Sequence, residues 1–252
     1  LTSISELTFF GTPVVFFSEI ESTNDYLKKL DTTSPQLVIT DNQYKGRGQY
    51  GRVWESECSQ NLCFSILYFP NNLAIDQGFK VSQCIALALV ESLNKFIGPE
   101  KAFIKWPNDI ILKDKKVCGL LIESVSSHSE IQKIIGGTGL NVNQEMFSST
   151  IANAGSLKSL TNSGTIDRVD LLKNIITHLE QRLQKGFGQN MEVEYNNNLY
   201  KLKQEIILAK DGVESKYINL GINEHGHWLV RNVANDSIEE IVSSREMEYV
   251  FS

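Results

Sequence analysis

Between residues 101 and 143 the chain sets four apolar segments almost end to end. "AFIKW" runs through Pro107-Asn108 into "DIILKD", a lysine-rich turn at 113–116 leads into "VCGLLIESV", and "KIIGGTGLNVN" follows at 133–143. The first three read as successive strands, and strands joined by turns this short pair antiparallel. The glycines of the fourth mark a strand that something approaches closely. This stretch commits the larger part of the chain to a mixed, mostly antiparallel sheet with helices, α+β rather than doubly wound.

The surrounding segments fit that frame. "QLVITDNQ" (36–43) and "NLCFSILYF" (61–69) read as strands, the second ending at Pro70. Val81, Ile85, Ala88, Leu89, Leu93 and Phe96 keep helical spacing up to Gly98-Pro99, and Val169, Leu172, Ile176, Leu179 and Leu183 do so up to Gly186. Ser22, with Asp25 three positions on, caps a helix that turns Leu27 and Leu30 inward. After Tyr200 the pattern changes to short strands with punctuation: "KQEIILAK", "VESKYINLGI", "HWLVRNV", "EEIVSS" and "MEYVF". That spacing predicts a small antiparallel barrel. The expected domains are therefore 1–200 and 201–252.

Composition narrows the function classes. With 41% hydrophobic and 21% charged residues this is an ordinary globular chain, and 24 Lys+Arg against 30 Asp+Glu argue against a generic nucleic-acid binder. No apolar run approaches the ~20 residues of a membrane-spanning helix, and "LTSISELTFFGTP" lacks the basic and apolar regions of a signal peptide. Cys58, Cys63, Cys84 and Cys118 form no CxxC pair and read as reduced core thiols of a cytoplasmic protein. His225 and His227 flank Gly226 in a turn, and no third metal ligand accompanies them.

Against this acidic background two basic patches stand out. "KGRGQYGRVW" (45–54) places three of the 17 glycines within six positions, and residues 41–54 carry Lys45, Arg47 and Arg52 against Asp41. Glycines let backbone N–H groups converge on an anion, and arginines fork onto carboxylates or phosphates. The plain alternative is a flexible hairpin loop with solvated arginines, and the spacing is not that of a P-loop. In "KWPNDIILKDKKVCG", residues 101–118 carry five lysines against Asp109 and Asp114. Pro107 pins the backbone beside Lys105, Asn108 and Asp109, a cation, an amide and a carboxylate suited to phosphates and a divalent cation. The alternative is a charged strand–turn–strand corner. Together the patches suggest a nucleotide and a carboxylate substrate.

The series "ESTNDYL", "GRGQYGRVW", "KWPNDIILKDKKVCGLLIE" and "GTGLNVN" resembles the biotin protein ligases over residues 14–200, and KWPND followed by K-x-x-G is its most specific element. The resemblance implies a class II synthetase-like catalytic fold with a small C-terminal SH3-like β-barrel. It implies that biotin and MgATP form biotinyl-5′-AMP, and that the acyl group passes to a lysine of a biotin carboxyl carrier domain of a biotin-dependent carboxylase. Carried over by position, Ser22, Thr23, Asn24 and Gln43 are similar to biotin contacts. Arg47, Gly48 and Gln49 lie on the loop that closes over the ligand, and Gly119 lends its backbone to biotin. Lys116 resembles the lysine bridging carboxylate and phosphate, with Arg47, Lys105 and Asp109 as further catalytic residues and Asp109 toward Mg2+. Arg47, Arg52, Trp54, Lys105, Asn108 and Asn141 fall on the nucleotide side. Gln49 stands where many members carry arginine.

Bifunctional members carry an N-terminal helix-turn-helix domain, for which a motif starting at Ser22 leaves no room, so no DNA partner is expected. No membrane partner is expected either, for want of a long apolar run, and pairing into a homodimer is left open. A lipoate–protein ligase on a related fold and a non-catalytic biotin-binding protein are the rival readings. The role of the C-terminal barrel also stays open between docking the carrier or ATP and serving as a packed appendage. Its six basic residues against nine acidic ones disfavour direct phosphate binding.

Overall fold

The computed structural model describes residues 4–251 apart from 150, 152, 162 and 189. A small hairpin, β1 (Thr8–Phe9) and β2 (Thr12–Pro13), leads into a seven-stranded sheet. Its strands are β3 (Val15–Ile20), β4 (Gln36–Gln43), β5 (Leu62–Tyr68), β6 (Ala102–Lys105), β7 (Asp109–Leu112), β8 (Lys115–Ser127) and β9 (Glu130–Leu140). They lie in the order β3-β4-β5-β9-β8-β7-β6. Only β3 and β4 pair in parallel, so the α+β, mostly antiparallel expectation holds. β3 has no counterpart in the sequence reading. It is an edge strand that buries no residue fully, so it lacks the alternation by which half-buried strands are recognised.

Helices α1 (Thr23–Lys29), α2 (Phe79–Phe96), α3 (Leu157–Thr161), α4 (Arg168–Lys185) and α5 (Met191–Asn197) complete the larger part. Ser22 caps α1 by accepting from the Asp25 N–H at 3.3 Å. Asp167 caps α4, and Gly186, at φ 75, stops it in the left-handed region that glycine adopts without cost to a Cβ. α2 buries Ile85, Leu89 and Leu93 against the sheet, each adding ~1.5–3 kcal/mol of apolar burial. Successive glycines of β9 let both faces be approached closely. A Cβ on Gly136 would sit 2.8 Å from Ile85 of α2, and one on Gly137 would sit 2.4 Å from Asn24 of α1. α1 and α2 therefore occupy opposite faces, and the face with α1 carries the cavity described below.

The C-terminal strands β10 (Glu205–Lys210), β11 (Val213–Ile222), β12 (Trp228–Asn232), β13 (Ile238–Ile241) and β14 (Glu248–Val250) form a five-stranded antiparallel sheet of the SH3-like kind. It is not set apart from the rest. Trp228 stacks on Trp106 with centroids 5.6 Å apart, Trp106 donates from Nε1 to the Gly226 carbonyl at 2.9 Å, and one apolar cluster runs through both sheets. Cys63, Cys84 and Cys118 are buried, and burial pushes the Cys84 thiol up to about 12. Cys58 corrects the reading of all four as core thiols: it is exposed, in the turn before β5. No helix among the described residues is long and apolar enough to cross a membrane.

Candidate functional site

A cavity of about 700 Å³ opens on the α1 face of the large sheet. Its walls include Ser22, Asn24, Gln43, Arg47, Gly48, Gln49, Arg52, Trp54, Lys105, Asn108, Asp109, Lys116, Gly119 and Asn141, so the structure gathers all but one of the residues singled out above. The exception is Thr23, which lies one layer beneath.

Thr23 sets the polar end. Its N–H donates to Gln43 Oε1 at 2.9 Å, and its hydroxyl lies 2.6 Å from Ser65 Oγ. Ser65, wholly buried in β5, donates to Asn24 Oδ1 at 2.6 Å, and Asn24 Nδ2 donates to Glu123 Oε2 at 2.8 Å. With Gln43 Oε1 held by Thr23, the Gln43 amide nitrogen is the end turned toward Gly46 and the cavity, where it offers N–H donors. Ser65 and Glu123 were not found from the sequence. For Ser65 the signal was a lone polar residue in the apolar run "NLCFSILYF", since a buried polar group needs a partner; Glu123, next to Ser124 and partly exposed, gave no such signal.

The catalytic-looking corner is built by a bulge. β7 and β8 pair Ile110 with Cys118 but Ile111 with Lys116, so Val117 is the extra residue. The alternation reverses there: Val117 goes into the core and Lys116 comes over Gly119, whose added Cβ would sit 3.3 Å from Lys116 Nζ. The segment after 152 braces this lysine, the Lys116 N–H donating to the Asn153 carbonyl at 2.8 Å and the Gly155 N–H to the Lys116 carbonyl at 3.0 Å. Lys116 Nζ lies 2.6 Å from Asp109 Oδ1, and Lys105 Nζ lies 3.4 Å from Asp109 Oδ2. Burial pushes the Asp109 carboxyl up, but Lys116 and Lys105 outweigh it and hold it below the ordinary carboxylate range. The Trp106–Pro107 peptide at this corner is cis.

Other positions acquire more definite roles. Trp54 lies flat across the sheet where side chains are missing: a Cβ on Gly139 would sit 2.2 Å from its ring, and one on Gly119 3.0 Å. It is a wall of the cavity. Asn141 donates to the Gly155 carbonyl at 3.1 Å, and its buried Oδ1 has no partner among the described residues. Asn108 lines the cavity and also donates to the Leu120 carbonyl at 2.7 Å, which braces β8. Arg47 turns its guanidinium toward the Asp25 carboxylate and lies 3.9 Å from Glu123, an ion-pair group that Lys28 joins at 2.6 Å from Glu123. Arg52 stands at the exposed rim.

A resident metal does not fit these residues. Asp109 already faces two ammonium groups, and among the described residues no three His, Cys, Asp or Glu side chains gather around a point. The C-terminal sheet enters the site, a feature the sequence left open. Met247, Tyr249 and Phe251 line the cavity, and Lys105 Nζ lies 5.6 Å and 5.8 Å from the Tyr249 and Phe251 ring centroids.

The glycine strip, the capped helix start and the braced lysine meet at one cavity. The family model for the biotin/lipoate A/B protein ligase family matches residues 16–141, and the chain belongs to that family. Among its relatives, the bifunctional ligase/repressor BirA of Bacillus subtilis is 28% identical over 257 residues, covering 93% of this chain and 73% of that protein. The biotin–[acetyl-CoA-carboxylase] ligase of Paracoccus denitrificans is 34% identical over 125 residues, covering 48% and 51%. The chain thus spans about three quarters and about half of the length of these two relatives, and 54% of the BirA of Bacillus spizizenii. The biotin protein ligase of Aquifex aeolicus in complex with biotin and ATP superposes with a TM-score of 0.77 at 27% identity, covering 95% of this chain and 99% of that one.

Proposed function

We propose that this chain is a biotin protein ligase, which activates biotin with MgATP to biotinyl-5′-AMP and transfers the biotinyl group to a lysine of a carrier domain in a biotin-dependent carboxylase. The observation that carries this reading is Lys116 held over Gly119 in the cavity that Gln43 and Asn141 also line. In the first step a biotin carboxylate oxygen attacks the α-phosphorus and pyrophosphate leaves. The Lys116 ammonium lies where both anions converge and stabilises the charge that gathers on the phosphate oxygens. Holding both substrates against one sheet removes much of the entropic barrier. In the second step the carrier lysine, as a neutral amine, attacks the acyl carbon, AMP leaves and the amine proton is released. Gln43 offers its N–H groups to the ureido carbonyl, and Asn141 Oδ1 accepts from the nucleotide.

Magnesium arrives with the nucleotide as part of the substrate. Residues 1–200 form the catalytic part, and 201–252 close one wall of it. The four unpaired cysteines support a reducing, cytoplasmic setting.

The test is biotin-dependent pyrophosphate release from MgATP. The parent releases pyrophosphate, and Lys116→Ala slows it by about 10²–10³-fold, the scale of losing one pre-organised charge-stabilising group. Biotin binding without release in the parent would overturn the reading, and calorimetric preference for lipoate over biotin would redirect it within the family.

A further inference from the structure

The glycine-rich loop and the C-terminal sheet meet at a contact that none of the steps above uses. Tyr50 stands at the loop tip with left-handed backbone (φ 57), next to Gly51 at φ 76, and its side chain is half exposed. A tyrosine keeps that conformation only where its surroundings over-determine it. Its phenol oxygen lies 3.1 Å from Ser243 Oγ, and the Arg245 guanidinium lies 3.9 Å from its ring centroid. The turn presenting these groups is itself braced. Glu246 Oε1 accepts from the Val242 and Ser243 N–H groups at 3.0 and 2.7 Å, the Arg245 N–H donates to Ser243 Oγ at 3.3 Å, and Met247 is buried just beyond. Hydrogen bonds to Ser243 and Ser244, with Arg245 and Arg52 nearby, hold the phenol below its ordinary value.

We propose that Arg245 and Ser243 clamp Tyr50, so that the C-terminal sheet holds the glycine-rich loop shut over the cavity and retains the activated acyl-adenylate. Arg245 and Tyr50 are positioning residues in this scheme. They act through the rest of the loop, which lines the cavity with Gly48, Gln49 and Trp54 among others, Tyr50 itself standing at its edge. A ring between a guanidinium and a hydroxyl is a specific seat, because the cation prefers the ring face while the phenol needs a hydrogen-bond partner. The retention part rests on the adenylate-forming reading above. The clamp itself is a property of the ligand-free protein.

Two arms test it in the full chain. Without ligand, trypsin cleavage after Arg47 and Arg52, mapped by mass, reads how often the loop opens when closing is fast relative to cleavage. Arg245→Met and Tyr50→Ala are each expected to speed it about two- to fivefold, the size of an exposed cation–π contact. Tyr50→Phe should have a smaller effect, and the double variant should be no faster than either single one. In the second arm, biotinyl-AMP formed on the protein and separated by gel filtration should leave both variants faster by a similar factor. Parental cleavage rates in both variants, or additive effects in the double variant, overturn the clamp. A parent that makes no adenylate overturns the proposed reaction, while the protease arm still decides the clamp.

Discussion

The two basic patches, residues 45–54 and 105–119, look alike on paper and differ in the folded protein. At the corner, Lys105 and Lys116 both face one carboxylate, Asp109, whose side chain is 13% exposed, on strands braced from both sides. On the loop, Lys45 pairs with Glu21 at 2.8 Å and Arg47 with Asp25, all with half-exposed or exposed side chains. The corner holds its charges in a fixed array, while the loop's cations tether a segment to its neighbours. Local charge therefore says where anions are handled, and burial says which groups are pre-organised for it.

The largest expected effect lies at the corner. Asp109→Asn leaves two ammonium groups facing each other, and the partial exposure of Lys116 keeps the expected loss to about 2–3 kcal/mol by urea denaturation, below that of a fully buried pair. The pH dependence has a definite sign. Because Asp109 is held below its ordinary value, the parent has this contribution in full above about pH 4. It loses that contribution as the pH falls through the lowered native value, and Asp109→Asn lacks this acid limb. Parallel acid profiles for the two proteins would remove the distinction between the patches. Next comes Gly139→Ala, whose methyl overlaps the Trp54 ring. The crowding costs about 1–3 kcal/mol, read as a lower melting temperature and weaker biotin binding. An unchanged melting temperature would mean that Trp54, the end of the loop, is not seated on the sheet. The smallest is Arg47→Gln, expected to cost under ~1 kcal/mol as an exposed pair. A loss as large as that of Asp109→Asn would erase the contrast.

The strands from 36 to 143 and the long helices were legible because their spacing and punctuation are local. Val15–Ile20 was not, since it pairs across α1 with β4 and buries too little to show a pattern. Lys116 shows the same limit in the site. "DKKVCG" offers two adjacent lysines, and only the bulge at Val117 turns the second over Gly119. The resemblance singled out Lys116, but periodicity alone does not. Arg47 lines the cavity and is also paired to Asp25, a partner on a helix whose approach the chain order does not reveal. Tyr50 and Arg245 have no sequence signature at all, being brought together only by the packing of the C-terminal sheet.

The missing side chains at Gly119, Gly137 and Gly139 have a consequence of their own. With no Cβ at these places, the sheet lies one methyl layer lower beneath Asn24, Trp54 and Lys116 than it would in an ordinary strand pair. At Gly137 and Gly139 that room is taken by Asn24 and Trp54 themselves, so the strip seats two walls of the cavity directly on the backbone. A side chain at Gly137 would push on Asn24, which accepts from Ser65 and donates to Glu123, and one at Gly139 would lift the Trp54 ring, so these two positions without side chains fix where the walls stand.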